Sequence, residues 1–230
     1  MPDLAGPDLA MPDPAMPHSV QGGTPWSTVR WSVVIPVKRL ETAKSRLRPE
    51  LANVPELALA FAMDTVAAAV AASNVAEVIV VTSDARVLAS MKPLGVTVVD
   101  DPGPNLNAAI SAGIERASGC IAVITGDLPA LRPTDLAVAL ALAEAADRAM
   151  VADHSGTGTT LIAAMNASLL HPQFGRASRD LHEKSGHTVL DIPIDSPLRW
   201  DVDTADDLAA ALRLGVGSAT AAAVALRAGP

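Results

Sequence analysis

The chain has 230 residues, half of them hydrophobic and only 2% aromatic with no Tyr, which suits one large domain with an aliphatic core. Seventeen basic residues against 25 acidic ones give a formal charge of −8, and a surface of that sign repels nucleic acid in bulk. The single cysteine, Cys120, excludes an internal disulfide and a Cys-based zinc site, a pattern that fits a reducing cytoplasm.

Residues 1–29 hold six of the 18 prolines and a loose Met-Pro repeat, a composition that buries too little apolar surface to order itself. They are read as a disordered Pro-rich extension before a domain spanning 30–230, with Met11 or Met16 as an alternative start. No Lys or Arg precedes Arg30 and no apolar h-region occurs, so no signal peptide is expected. The most apolar stretch, 57–72, is interrupted by Asp64, so no membrane segment is expected either.

From Trp31 onward strand-like and helical patterns alternate. Residues 33–37 form a short buried strand, and Leu59, Met63, Val66 and Val70 recur at helical spacing. A second strand at 78–82 precedes a helix capped by Asp84, and a third lies at 96–99. Leu106, Ile110, Gly113 and Ala117 line one face of the next helix, whose cap is Asn105. A fourth strand, 121–124, leads to a helix over 134–146. Uninterrupted apolar strands separated by helices indicate a parallel sheet covered on both faces. After about residue 150, strands at 159–164 and 188–192 with short helices are expected to add antiparallel pieces at the sheet edge. The reading is one α/β domain of Rossmann-like type, whose ligands bind beyond the carboxyl ends of the strands.

The residues just after each strand therefore carry the functional argument. Lys38, Arg39, Lys44 and Arg46 place four cations within nine residues after the first strand, as a triphosphate requires. A solvated basic turn would look the same. Asn107, one turn beyond Asn105, is a candidate for a base or ribose contact. After the fourth strand, Thr125-Gly126-Asp127-Leu128-Pro129 sets a carboxylate on a tight turn, suited to a hard cation such as Mg²⁺. In Asp201-Val202-Asp203-Thr204, Thr204 and Asp207 have capping-box spacing, leaving Asp201 and Asp203 to join Asp127 around a metal. The loop Gly156-Thr157-Gly158-Thr159-Thr160 and the segment Phe174-Gly175-Arg176-Ala177-Ser178 offer hydroxyl and backbone N–H donors to an anion. A hairpin turn and a Ser178 helix cap are their structural alternatives. The five histidines show no zinc-ligand spacing and read as surface or packing residues.

In that order, Ile35-Pro36-Val37-Lys38, Ala43-Lys44-Ser45-Arg46-Leu47, Leu106-Asn107-Ala108-Ala109, the Asp127 turn and the Asp201–Asp203 ending resemble the 2-phospholactate or phosphoenolpyruvate guanylyltransferases of deazaflavin coenzyme F-420 biosynthesis. The likeness runs from about Trp31 to the C-terminal helices. It implies a nucleotide-diphosphosugar-transferase-like fold and transfer of GMP from GTP to a small phosphorylated acid. It also implies Mg²⁺ on Asp127, Asp201 and Asp203, and acid-substrate contacts from Thr159, Gly175 and Ser178. Lys38, Lys44, Arg46 and Asn107 are expected at the nucleotide, with Asp127 and Lys38 in the catalytic roles. The Ala-rich sequence and the 156–175 region look like actinobacterial members, for which phosphoenolpyruvate is the implied acceptor. A nucleotidyltransferase for a sugar phosphate or a molybdopterin-type cofactor and a non-catalytic nucleotide binder are the alternatives. No nucleic-acid or membrane partner is expected, and the oligomeric state is open, a homodimer included.

Overall fold

A computed structural model describes residues 28–49, 51 and 53–226. Apart from Thr28 and Val29, the Pro-rich segment 1–29 lies outside the described residues. The strands are β1 (Trp31–Pro36), β2 (Val75–Val81), β3 (Thr97–Val99), β4 (Cys120–Ile124), β5 (Arg148–Ala152), β6 (Thr159–Ala164) and β7 (Thr188–Val189). The helices are α1 (Val54–Ala71), α2 (Ala85–Met91), α3 (Leu106–Arg116), α4 (Pro133–Ala143), α5 (Ser178–Lys184), α6 (Ala205–Leu214) and α7 (Ser218–Ala225).

The seven strands form one sheet in the order β3-β2-β1-β4-β6-β5-β7. β1 pairs in parallel with both β2 and β4, and β5 pairs in parallel with β7. β6 alone runs against its neighbours, antiparallel to both β4 and β5. The antiparallel strand is thus inserted inside the sheet, not added at its edge as expected. The topology has a consequence for the site: the start of β6, at Thr159, lies beside the end of β4, and Thr125 N–H donates to the Thr160 carbonyl at 3.0 Å. β5 went unread in the sequence, because Glu144-Ala145-Ala146-Asp147 ahead of it has no Gly or Pro to mark the break from α4.

Side chains alternate across the strands into two apolar layers. Val33 and Ile35 enter one with Ala62 and Val66 of α1 and with Leu136 and Leu140 of α4. Val34, Ile79 and Val81 enter the other with Ile110 and Ile114 of α3. α3 approaches so closely at Gly113 that a Cβ there would lie 2.4 Å from a Val34 methyl and 2.8 Å from a Val81 methyl. Glycine is the residue this crossing requires.

By length and composition α1 is apolar enough to cross a membrane, with mean hydropathy 1.6 over 18 residues, yet 61% of it is buried inside the fold. Its one central charge has a structural purpose. The Asp64 carboxylate accepts from Ala219 N–H at 3.0 Å and Thr220 N–H at 2.8 Å, fixing α7 across the helix. A third apolar cluster joins Leu57 and Phe61 of α1 to Leu47, Ala130, Val202 and Leu208, residues of the segments that follow β1 and β4 and of the C-terminal part.

Candidate active site

The Asp127 turn is held from several directions. A Cβ on Gly126 would come 2.9 Å from the Pro36 carbonyl, so only glycine lets the chain leave β4 this close to the end of β1. Leu128 N–H donates to Thr65 Oγ1 of α1 at 3.0 Å, and Gly217 N–H donates to the Pro129 carbonyl at 2.9 Å. Val202 N–H donates to the Asp127 carbonyl itself at 3.1 Å. That last bond brings the 201–203 segment against the turn. Val202 is wholly buried, and the two acids flank it on an extended stretch ended by the Thr204–Asp207 capping box of α6.

Lys44 reaches into this acidic corner. Its ammonium donates to Asp127 Oδ2 and, at 2.9 Å, to Asp203 Oδ1, while Arg46 lies 3.6 Å from Asp203 Oδ2. Lys44 has a left-handed backbone, φ 53°, a conformation that costs a non-glycine residue on the order of 1 kcal/mol. Burial opposes its charge, but the two carboxylates hold its pKa above the ordinary lysine value. Asp203 is likewise disfavoured by burial, yet Lys44, then Arg46 and Lys38, hold it below the usual carboxylate range. Asp201 has the opposite fate. Burial first, then the charges of Asp127 and Asp203, push its pKa up to about 8 despite some relief from Lys44.

The corner is short of positive charge in a specific way. Asp127 Oδ1 and Asp201 Oδ1 are both buried with no hydrogen-bond partner, and the nearest cationic candidate for Asp201, His154 Nδ1, is 3.8 Å away. Among the described residues, no three or more His, Cys, Asp or Glu side chains are grouped as a ready-made metal cage. The two orphaned carboxylate oxygens nonetheless suit a hard divalent cation, which prefers such donors and completes its shell with water and phosphate oxygens. Lys44 pairs with both Asp127 and Asp203; Asp203 has Arg46 in addition, whereas Asp127 keeps one oxygen unpaired.

A cavity of about 300 Å³ opens beside these residues, lined by Lys38, Lys44, Arg46, Asp127, Phe174 and Asp203 among others. A second, of about 440 Å³, shares Pro36, Val37, Lys38, Thr42 and Leu106 with it and extends past Ser83 to Asp101 and Asn105. Together they follow the carboxyl ends of β1 to β4. The basic loop between them is anchored by Asp84, whose carboxylate accepts from Leu40 N–H at 2.9 Å while capping α2 through Arg86 and Val87. Burial disfavours the Asp84 charge, but these three backbone donors outweigh it and keep the carboxyl below its ordinary range.

On the other side of β4, the loop before β6 is closed by Asp153, which accepts from Thr157 N–H at 3.0 Å. Gly158 is needed there, since a Cβ would meet the Asp153 carboxylate at 2.5 Å. Arg179 ties this loop to α5, its guanidinium donating to the Gly156 carbonyl and its N–H to the Thr157 carbonyl. Thr159 and Ser178 are thereby drawn to one region, both nearly fully buried, with Gly175 at φ 133° on the approach. Ser178 is the first residue of α5, and no side chain caps that helix. Asn107, expected at a base or ribose, braces the same approach: it donates to the Phe174 carbonyl at 3.1 Å and accepts from Phe174 N–H at 2.8 Å.

Sequence reasoning missed the histidines. His154 stacks on Trp200 at 4.4 Å and sits between Asp201 and Asp207, and His182 bonds Thr159. No spacing rule could have found them, because their partners are 23 to 53 residues away in the chain.

Residues 31–225 match the family described as "Guanylyl transferase CofC like". A phosphoenolpyruvate guanylyltransferase from Streptomyces scabiei is 47% identical over 209 residues, 86% of this chain and 97% of that protein. One from Salinispora arenicola is 49% identical over 199 residues, 83% and 92% of the two chains. Among solved structures, a protein from Desulfovibrio desulfuricans G20 provisionally named a nucleotide-diphospho-sugar transferase superposes with TM-score 0.66 at 18% identity, covering 87% of this chain and 96% of its own. A Methanothermobacter nucleotidyl transferase gives 0.57 at 23% identity over 82% and 96%. Those two likenesses show the fold alone. The sequence match, running from the first residue of β1 to the last residue of α7, shows the rest: the chain belongs to the CofC-like guanylyl transferase family.

Proposed function

We propose that this enzyme transfers GMP from GTP to phosphoenolpyruvate, giving enolpyruvoyl-2-diphospho-5'-guanosine and pyrophosphate as a step of coenzyme F-420 biosynthesis in the cytoplasm. The observation that carries the reading is Asp127 in the wall of a cavity shared with Lys38, Lys44 and Arg46, with the segment that holds Asp201 bonded to the Asp127 backbone. The names of the relatives support phosphoenolpyruvate as acceptor.

In the reaction an oxygen of the acceptor's phosphate attacks the α-phosphorus of GTP. The bond to the bridging oxygen breaks, and pyrophosphate leaves with the electron pair. The nucleophile is already an anion, so no strong protein base is needed, and the protein contributes positioning and charge neutralisation. Asp127 and Asp201 would hold Mg²⁺, with Asp203 at its margin; a bound divalent cation supplies Lewis-acid neutralisation of the reacting phosphates. Lys38 and Arg46 face the cavity and offset the triphosphate charge. Lys44 balances Asp127 and Asp203 and adds to the same positive wall. Thr159, Gly175 and Ser178 bind the acid, and Asn107 keeps the Phe174–Ser178 approach in shape through the Phe174 backbone.

The test is to incubate protein, Mg²⁺ and GTP with phosphoenolpyruvate or 2-phospholactate and identify products by mass. A guanylylated phosphoenolpyruvate with stoichiometric pyrophosphate is expected. GTP binding without pyrophosphate release from either acid refutes the reading.

A further inference from the structure

His182 makes two hydrogen bonds that together determine where its proton sits. Its Nε2 lies 2.9 Å from the backbone nitrogen of Gln173, and a backbone N–H can only donate. In the neutral ring the proton is therefore on Nδ1, which is 3.0 Å from Thr159 Oγ1. The Thr159 hydroxyl must accept that bond. Its own proton is left over, and among the described residues no protein acceptor meets it. Thr159 is only 5% exposed, so this is a nearly buried donor with an unfilled role.

The surroundings hold His182 neutral and in place. The ring is fully buried, edge-on to Phe174 of the cavity wall at 5.1 Å and to His187 at 5.2 Å. Burial first and the neighbouring His187 second push its pKa down to about 4, against a smaller opposing contact of the ring with the Ser178 backbone. His187 Nδ1 in turn lies 3.0 Å from the His182 carbonyl.

We propose that His182 is a positioning residue that dedicates the Thr159 hydroxyl to donation, so that its proton is presented to an anionic oxygen of the acid substrate. The inference rests on the acid-binding reading of Thr159 given above. A threonine free to rotate would spend part of its time presenting a lone pair to the same anion, which repels it. With Nδ1–H occupying the acceptor side, the hydroxyl discriminates in favour of carboxylate or phosphate oxygen and against a neutral analogue.

Two substitutions separate the ring's two bonds. His182→Asn keeps an N–H donor near the Nδ1 position and loses the partner of Gln173, whereas His182→Gln reaches the Nε2 position and abandons Thr159. With Mg²⁺ and GTP, His182→Gln is expected to raise KM for phosphoenolpyruvate roughly 10- to 100-fold with KM for GTP unchanged, and His182→Asn to restore most of the loss. Adding His182→Gln to Thr159→Val is expected to cost little more than Thr159→Val alone. The proposal is overturned if His182→Gln leaves KM for the acid within about twofold, raises both KM values together, or multiplies with Thr159→Val. If Thr159→Val itself does not weaken the acid, the underlying pocket reading is what fails. The tautomer can be read without any variant, from nitrogen-detected or long-range ¹⁵N correlation spectra of the wild-type protein. A proton on Nδ1 is expected, and a proton on Nε2 overturns the proposal.

Discussion

Replacing Lys44 by Met removes the one ammonium that bridges Asp127 and Asp203 while keeping the length and most of the volume of the side chain. The cost follows from exposure. Lys44 is 10% exposed and Asp127 23%, which approaches the regime where breaking a pair costs roughly 3–5 kcal/mol. Asp203 is 47% exposed, where water screens most of the interaction and a pair is worth under about 1 kcal/mol. Between these limits we expect a loss of about 2 kcal/mol for the metal-free protein at pH 7 and low salt. The pH dependence identifies the cause. Asp203 has a depressed pKa in the wild type, so the stabilisation it draws from Lys44 is present above the ordinary carboxylate value and is lost as pH falls through the lowered one. In Lys44→Met the Asp203 carboxylate takes up its proton earlier, so the gap to wild type should narrow as pH falls from about 7 and close only below about pH 4. Millimolar Mg²⁺ should stabilise the variant more than the wild type. Urea denaturation of both proteins across that pH range, with chelator and then with Mg²⁺, measures each point. A variant within about 0.5 kcal/mol of wild type at pH 7, or a deficit that does not change with pH, would refute the assignment of Lys44 as the neutralising cation.

Other expectations follow from single contacts. Gly113→Ala forces a methyl into Val34 and Val81 and should cost about 1–3 kcal/mol in denaturation while leaving both KM values unchanged. Asp201→Asn should separate stability from activity. Because the folded Asp201 pKa is raised to about 8, its ionisation costs stability as pH rises from the ordinary carboxylate value through 8. The chelated variant should therefore melt at a higher temperature than wild type at about pH 9, by a margin that shrinks as pH falls to about 4, and transfer almost no guanylyl group. Thr159→Val should raise KM for phosphoenolpyruvate and not for GTP in steady-state assays; equal rises would count against the pocket assignment.

The parallel half of the sheet and the Asp127 turn were legible because each strand there is a continuous apolar run followed at once by polar residues. Asp84, Asn105 and Thr204 act as the caps that their position before a helical pattern indicates. The second half was harder for physical reasons. β6 runs against its neighbours inside the sheet, and strand order is a long-range property that no local pattern encodes. β7 is two residues long instead of the five expected over 188–192: the ladder with β5 covers Thr188 and Val189, Leu190 N–H adds one bond to the Met150 carbonyl, and Ile192 N–H turns back to the Leu190 carbonyl. The acidic residues could be named from spacing, but their balance of charge could not. That Lys44 belongs to Asp127 and Asp203, that Asn107 braces Phe174, and that His182 faces Thr159 depend on contacts across 23 to 159 residues of chain.

Divalent-cation-dependent guanylyl transfer through Asp127 and Asp201 is tested most directly by pyrophosphate release from GTP and phosphoenolpyruvate at saturating Mg²⁺, comparing wild type with Asp127→Asn. The amide preserves the size of the side chain and leaves the Val202 and Gly217 backbone bonds of the turn in place, so the variant should fold, with a melting temperature lowered by the loss of the Lys44 ion pair. We expect its kcat to fall by roughly 100-fold or more. A folded Asp127→Asn enzyme that turns over at nearly the wild-type rate would contradict the account.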